Sequence, residues 1–566
     1  MKSLKIILPA CFSMLLLSNC SDKFLDIYPV DRKTEATFFK TQEEVYQTLV
    51  GCYQGMNRWL NNGGNWVYPI VSDIMSDDAA GGAGKSDYLL PQAIDRFDPG
   101  IAPAEANIYS TMWADAFTTI NRCNTFLKKT DAFPWDDNSA FAMGKYMTKA
   151  ASEGEVRFIR AYMYFCSMQM WGHLPLITET TEDAGKEAQE DPKLIYELIV
   201  NDLKKATGLL RPSFPSDASG RITKYAAEGL LARVYLFYTG YYGKTQAELP
   251  RVNKGELLTY MNGVISEAEV KGYLTDIIQN SGHDLMDNYL SLWPAGAAAA
   301  GVGYAGEYNK EVIFAIKHGY VNGTSMNWVS DMGARGYIMP PYGRGWGFDI
   351  GNKYVWDSWD TNDPRRNASL MNVKEEHNLF NDTNPYNDTE AGRDVREYQS
   401  LFLKKYLRET DASGNEVYGS YVGNPSSMSS YTDYIVIRYA DVLLMAAELG
   451  IDAQANFDKV RRRAYGSSTP SKIVSQENIM EERHREFVGE AIRYWDLLRM
   501  GLEYAADAIK IEAPGIPVVN GALIYGTTNI VIKREQVMST SGLSQIPEQQ
   551  ISLSEGKLAQ NEGWSK

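Results

Sequence analysis

The stretch Glu155–Leu176 reads EVRFIRAYMYFCSMQMWGHLPL, and its texture decides what kind of chain this is. Small Ala161 lets a neighbouring helix come close, while bulky Tyr164 fills the gap beside it. Gly172 supplies a stop and Pro175 follows, so the pattern predicts a helix over 155–171. The same mixture returns in Thr223–Tyr241, with Ala232 and Tyr235 and then Gly240 and Gly243 at the end. It returns again in Ile435–Leu449, with Leu443 and Ala446 and then Gly450. Helices that alternate small and aromatic residues on one face stack as tetratricopeptide-like pairs. Their spacing here is irregular, and no strict period of about 34 residues fits. The expected fold is mostly α, a superhelical scaffold of such pairs interrupted by long insertions.

Other segments extend the scaffold. Thr41 and Glu44 make a capping-box pattern ahead of a helix to Leu60. Met112–Leu127, Ile195–Leu210 and Ala455–Ala464 follow helical spacing, and Gln476–Met500 reads as one long helix closed by Gly501. The inserts, about 61–103 and 291–430, lose that periodicity and fill with Gly, Asp, Asn and aromatics. Within the second, Glu311–Ile316 (EVIFAI) predicts one of a few short strands. Long aromatic-rich loops in a folded chain are usually functional.

The first residues address the protein. Lys2 and Lys5 precede an apolar run from Ile6 to Leu17, too short to span a bilayer, and Leu17-Ser18-Asn19-Cys20 has the form of a bacterial lipobox. Residues 1–19 are therefore expected to be a lipoprotein signal peptide, Cys20 the acylated first residue, and 20–566 a single domain. The plainer alternative is a secretory peptide with a chance cysteine. Net charge is −15, which argues against nucleic acid and against docking on anionic lipid. Once Cys11 is lost and Cys20 acylated, Cys52, Cys123 and Cys166 remain, an odd set expected to be buried free thiols; a Cys52–Cys123 bridge is the alternative.

Several of these segments together resemble the SusD/RagB family of outer-membrane glycan-binding lipoproteins of Bacteroidetes. The resemblance rests on Cys20–Ile27 with Gly51-Cys52-Tyr53, on Trp113–Asn124 (WADAFTTINRCN), and on Glu155–Leu176 and Arg221–Tyr238. It continues through Ile437–Glu448 (IRYADVLLMAAE), Phe457–Ala464 and Ile479–Gly501, and closes on Ile546-Pro547 and Gln560–Trp564. It implies four tetratricopeptide-like helix pairs, with ligand-binding loops on the opposite side. It also implies a lipid-anchored protein of the outer membrane, facing the exterior. Such a protein captures a glycan for a TonB-dependent, SusC-like transporter without catalysis.

The residues point the same way. Sugars offer flat C–H faces that aromatic rings cover with little loss of entropy, and stacking on π-faces contributes about 1–3 kcal/mol per ring where it has been measured on bases. Asp, Asn, Arg and Lys then read hydroxyl groups. The first insert carries Trp66, Tyr68, Asp73, Asp77, Asp78 and Tyr88; the second carries Trp293, Tyr308, Trp328, Tyr337, Tyr342, Arg344, Trp346 and Trp356. Ligand contacts are expected from Trp66, Asp77, Asp78, Tyr88, Trp328, Tyr337, Tyr342 and Trp346. A surface glycoside hydrolase with an aromatic-lined cleft is the competing reading.

Signs of catalysis are weak. Gly301–Gly306 spells G-x-G-x-x-G without the strand before and helix after that a dinucleotide site needs. Glu482, Glu486 and Glu490 lie at i, i+4 spacing between Arg483, Arg485 and Arg493, which suits ion pairs and not a general acid; His484 is expected at the surface or in a salt bridge. No cofactor and no catalytic metal are expected. The oxygen-rich run Asp382–Asp388 lacks EF-hand spacing and stands only as a candidate for a structural calcium.

Overall fold

The computed structural model describes residues 38–60, 66–81, 89–98, 107–180, 184–215, 220–319, 326–333, 339–372, 401–413, 415–418, 421–422, 430–513, 518–519, 522–523 and 529–564. The expected signal segment with Cys20, Tyr88, Tyr337 and the 382–388 run lie outside the described residues.

Helix α1 (Gln42–Leu60) begins with the expected capping box: the Glu44 N–H donates to Thr41 Oγ1 at 3.3 Å, and the Thr41 N–H donates to Glu44 Oε2 at 3.2 Å. After a short α2 (Tyr68–Met75) come α3 (Ser110–Thr130) and α4 (Lys149–Trp171). Helix α4 starts earlier than its apolar pattern suggests, because Thr148 caps the Ala151 N–H at 3.1 Å. It stops at Gly172, whose φ of 71° ends the helix as the sequence predicts. Then follow α5 (Pro192–Leu209), α6 (Lys224–Lys244, capped by Thr223) and α7 (Glu267–Asn280), and later α8 (Tyr439–Glu448) and α9 (Ala453–Tyr465).

Each of these long helices packs on the next in chain order, from α1 on α3 to α8 on α9. Four stacked pairs result: α1/α3, α4/α5, α6/α7 and α8/α9. Aromatics seal the seams as expected: the Trp171 ring lies 4.9 Å from Trp113 and 6.2 Å from Trp59. Cys52, Cys123 and Cys166 are all buried free thiols, so no Cys52–Cys123 bridge is present. Among the described residues no helix is long and apolar enough to cross a membrane.

Two expected helices are corrected. Ile435–Leu449 is not one helix: Tyr434–Arg438 is a strand, and α8 begins only at Tyr439. Ile435, Val436 and Ile437 form a buried β-branched run that suits a strand. Gln476–Met500 is two helices, α10 (Gln476–Phe487) and α11 (Arg493–Arg499). The chain turns between them at Gly489 and Ala491, with φ of 72° and 59°. The freed N–H groups there are taken by acids of the first insert: Ala491 donates to Asp73 Oδ1 at 3.0 Å and Gly489 to Asp78 Oδ2 at 3.4 Å.

The inserts meet in a small sheet. Its strands are β1 (Ala79–Gly81), β3 (Asp349–Gly351), β4 (Leu370–Asn372) and β5 (Leu401–Leu403), in the order β1-β3-β5-β4. The predicted strand in EVIFAI is β2 (Val312–Ile316), paired antiparallel with β6 (Tyr434–Arg438). The first insert thus holds more structure than its sequence suggests, and β1 joins it to the second through Ala80 opposite Ile350.

Candidate functional site

Asp77 and Asp78 stand just before β1, and the structure gives both of them structural work. Asp77 takes Arg493 through both oxygens, Nε to Oδ1 at 2.7 Å and Nη2 to Oδ2 at 2.9 Å. Burial pushes its carboxyl up, but Arg493 and His484 more than offset this and hold it at about 2. Asp78 Oδ1 lies 2.6 Å from His484 Nε2, which makes His484 the bridged residue foreseen from sequence. Asp77, Asp78 and His484 bring three donor atoms within 4.8 Å of one another, as a metal site does. Their oxygens are already occupied by Arg493, His484 and the Gly489 N–H, so a cation has nothing left to neutralise. Both aspartates are buried, and their expected role as ligand contacts is corrected to that of anchors for the α10–α11 turn.

The aromatics divide by burial. Trp66 is buried, edge-on to Phe348 at 6.0 Å. Trp328 is buried between Tyr406 at 5.4 Å and Tyr434 at 5.9 Å. Tyr342 is buried with Lys404 Nζ over its ring at 5.1 Å. None of these rings has a face open to a sugar; the expectation for Trp66, Trp328 and Tyr342 is corrected to core packing, since a ring this apolar buries whenever a neighbouring element covers it. Trp346 differs, with 45% of its surface exposed.

A glycine-rich turn sets Trp346 in place. The Trp346 N–H donates to the Ser330 carbonyl at 2.7 Å and the Phe348 N–H to that of Asp331 at 2.8 Å, so residues 344–348 lie along the Trp328–Met332 backbone. A Cβ at Gly345 would fall 1.3 Å from the Met332 oxygen, and only glycine allows that approach. The structure therefore brings Trp328, Tyr342 and Trp346 into one neighbourhood, joined by Trp66 through Phe348, with Trp346 at its rim. Sequence reading passed over Arg408, whose side chain lies flat on Gly343: a Cβ there would meet Arg408 Nε at 2.6 Å. The run LKKYLRET, cations among aromatics within an insert, was the available signal.

The carboxylate series is buried and ion-paired, with partners other than those its spacing suggests. Glu486 receives Arg365 at 2.8 Å, Arg438 at 2.6 Å and also Arg463; Glu490 receives Lys405 at 2.7 Å and Arg438 at 2.9 Å; Glu482 receives Arg365 at 2.6 Å. Burial raises the Glu486 carboxyl, but Arg463, Arg438 and Arg365 outweigh it and hold it well below the usual range. The neighbouring arginines turn elsewhere: Arg483 to Asp441 and Asp496, Arg485 to Glu481, and Arg493 to Asp77.

Comparison with known proteins matches two family models in succession. Residues 23–236 match one described as starch-binding associating with the outer membrane, and residues 310–564 match one described as the SusD family. A SusD-like protein of Formosa agariphila is 24% identical over 540 residues, covering 86% of this chain and 89% of that one. Among solved structures, a laminarin-binding SusD-like protein is 25% identical and superposes with a TM-score of 0.66 over 92% of this chain and 99% of that one. Surface glycan-binding protein A from Bacteroides thetaiotaomicron, solved with laminarihexaose, is 23% identical with a TM-score of 0.63 and covers 92% of this chain and all 100% of its own.

Proposed function

Since the chain belongs to the SusD family, we propose that it is a glycan-binding protein of the outer membrane, anchored by acyl chains on Cys20 and facing the exterior. It holds an oligosaccharide or polysaccharide and hands it to a TonB-dependent, SusC-like transporter. The observation that carries this reading is the likeness, over nearly the whole of both chains, to a structure solved as a laminarin-binding protein. The half-exposed Trp346 ring adds a platform of the kind sugars stack on. Tyr88 and Tyr337 remain candidates for the same surface.

The hydrolase reading has less support. Its carboxylate series is buried in ion pairs with arginines and a lysine, whereas a glycosidase needs a carboxyl within reach of the substrate. The test is affinity electrophoresis of the mature chain from Ser21 through gels of neutral and acidic polysaccharides, laminarin first, with product analysis alongside. Retention by one glycan class, lost in Trp346→Ala and without cleavage, supports the reading. Release of reducing ends refutes it. Delivery is tested by cross-linking in intact outer membranes, where a TonB-dependent barrel is the expected partner.

A further inference from the structure

Among the described residues Arg408 is the exception among the buried arginines. Arg365 holds Asp363, Glu482 and Glu486; Arg438 holds Glu311, Glu486 and Glu490; Arg483 holds Asp441 and Asp496. Arg408 is only 2% exposed, yet its Nε, Nη1 and Nη2 donate to nothing. A buried guanidinium without an acceptor is among the costliest states a side chain can occupy, and it calls for an explanation.

The atoms around it are also unserved. Arg344 Nε and Thr410 Oγ1 are buried without partners. Glu416 sits across the backbone bridge from Thr410, but it makes no hydrogen bond or ion pair with Arg408 among the described residues. Burial pushes the Glu416 carboxyl up to about 7 against the pull of Arg408, so near neutral pH it is a poor counter-ion. Burial and the positive charge of Arg344 both work against the Arg408 guanidinium, with only Glu416 opposing them. The result is two cations and a hydroxyl with donors unspent, and one of the cations, Arg344, lies two residues along the chain from Trp346.

We propose that Arg344, Arg408 and Thr410 form a subsite for an oxyanion carried by the glycan stacked on Trp346, either a uronate carboxylate or a sulfate ester. This rests on the glycan-binding reading and narrows it to acidic sugars. A guanidinium fork matches the paired oxygens of either group, and the threonine hydroxyl adds a donor that can turn to meet them. An anion placed there relieves the repulsion between the two arginines and supplies the missing acceptors together. The chain as a whole carries −15, so an acidic glycan is not drawn in by the overall field, and its recognition has to be local.

The test follows the melting midpoint of the mature chain with sodium glucuronate, glucose 6-sulfate or glucose at matched ionic strength, in wild type, Arg408→Met and Arg344→Met. Retention on laminarin and on sulfated laminarin is measured in parallel. One of the two acids should raise the wild-type midpoint by a few degrees and glucose should not; which acid acts tells carboxylate from sulfate. Arg408→Met should abolish the shift, and Arg344→Met should weaken it. An absent shift in wild type, or an equal shift in Arg408→Met, overturns the subsite. So does an Arg408→Met protein that melts well below wild type, because the guanidinium would then already be satisfied. Retention on neutral laminarin without any response to the acids sinks the subsite alone. A response to the acids with no retention on any polysaccharide keeps the subsite and sinks the glycan reading.

Discussion

Asp77→Asn separates an anchoring role from a ligand-binding one. The Asp77 carboxylate and the Arg493 guanidinium are both buried and joined by two hydrogen bonds. Lowering the carboxyl from 3.8 to about 2 corresponds to about 2 kcal/mol of stability. Its neutral replacement also leaves Arg493 buried with half a partner, a loss of about 3–5 kcal/mol. At about 2.1 cal/mol/K of unfolding entropy per residue, a chain of 566 residues should then melt about 2.5–4 °C lower. The folded pKa lies below the unfolded one, so the contribution is complete above pH 3.8 and is lost as the pH falls through about 2. The gap between mutant and wild type should close over that window. The assay is thermal unfolding at neutral and acid pH, with polysaccharide retention measured on the same samples. An unchanged melting point at pH 7 together with lost retention would refute the anchoring role.

Trp328→Ala removes a ring packed on Tyr406 and Tyr434 and should cost about 3–5 kcal/mol in urea unfolding, whereas Trp346→Ala at the rim should cost less than about 0.5 kcal/mol. Burial raises the Asp331 carboxyl to about 7, so wild type should lose up to about 4 kcal/mol as the pH rises from 3.8 through 7. Asp331→Asn should flatten that limb in melting curves taken at pH 4 and pH 8. Cys52, Cys123 and Cys166 are buried free thiols, so a thiol reagent should find none of them in the native mature chain and all three after denaturation.

The scaffold was legible because its signals are local. Thr41 with Glu44, Gly172 after Trp171, and the small-aromatic faces of α4 and α6 each declare a helix within a few residues. The misread boundaries have a common cause. The apolar run at 435–437 cannot be assigned to helix or strand by periodicity, and pairing with β2 decides. The break at Gly489 depends on Asp73 and Asp78, which lie more than 400 residues away in sequence. The site was harder to read for the same reason. Residue type marks an aromatic as suited to sugars, but exposure decides whether it meets one; Trp328 and Trp346 look alike in sequence and differ in the fold. Arg408 was invisible because an unmet donor is a property of its surroundings.

The pairing of Asp77 with Arg493, and of β1 with β3, has a consequence for synthesis. The first insert leaves the ribosome early, yet its strand partner lies in the second half of the chain and its charge partner in the last third. A fragment that ends before His484 carries two aspartates with nothing to close on, and a β1 edge that stays open if the break comes before Asp349. Only the finished polypeptide can display the loop face, so a clipped or stalled copy is marked as defective by the same contacts that complete an intact one.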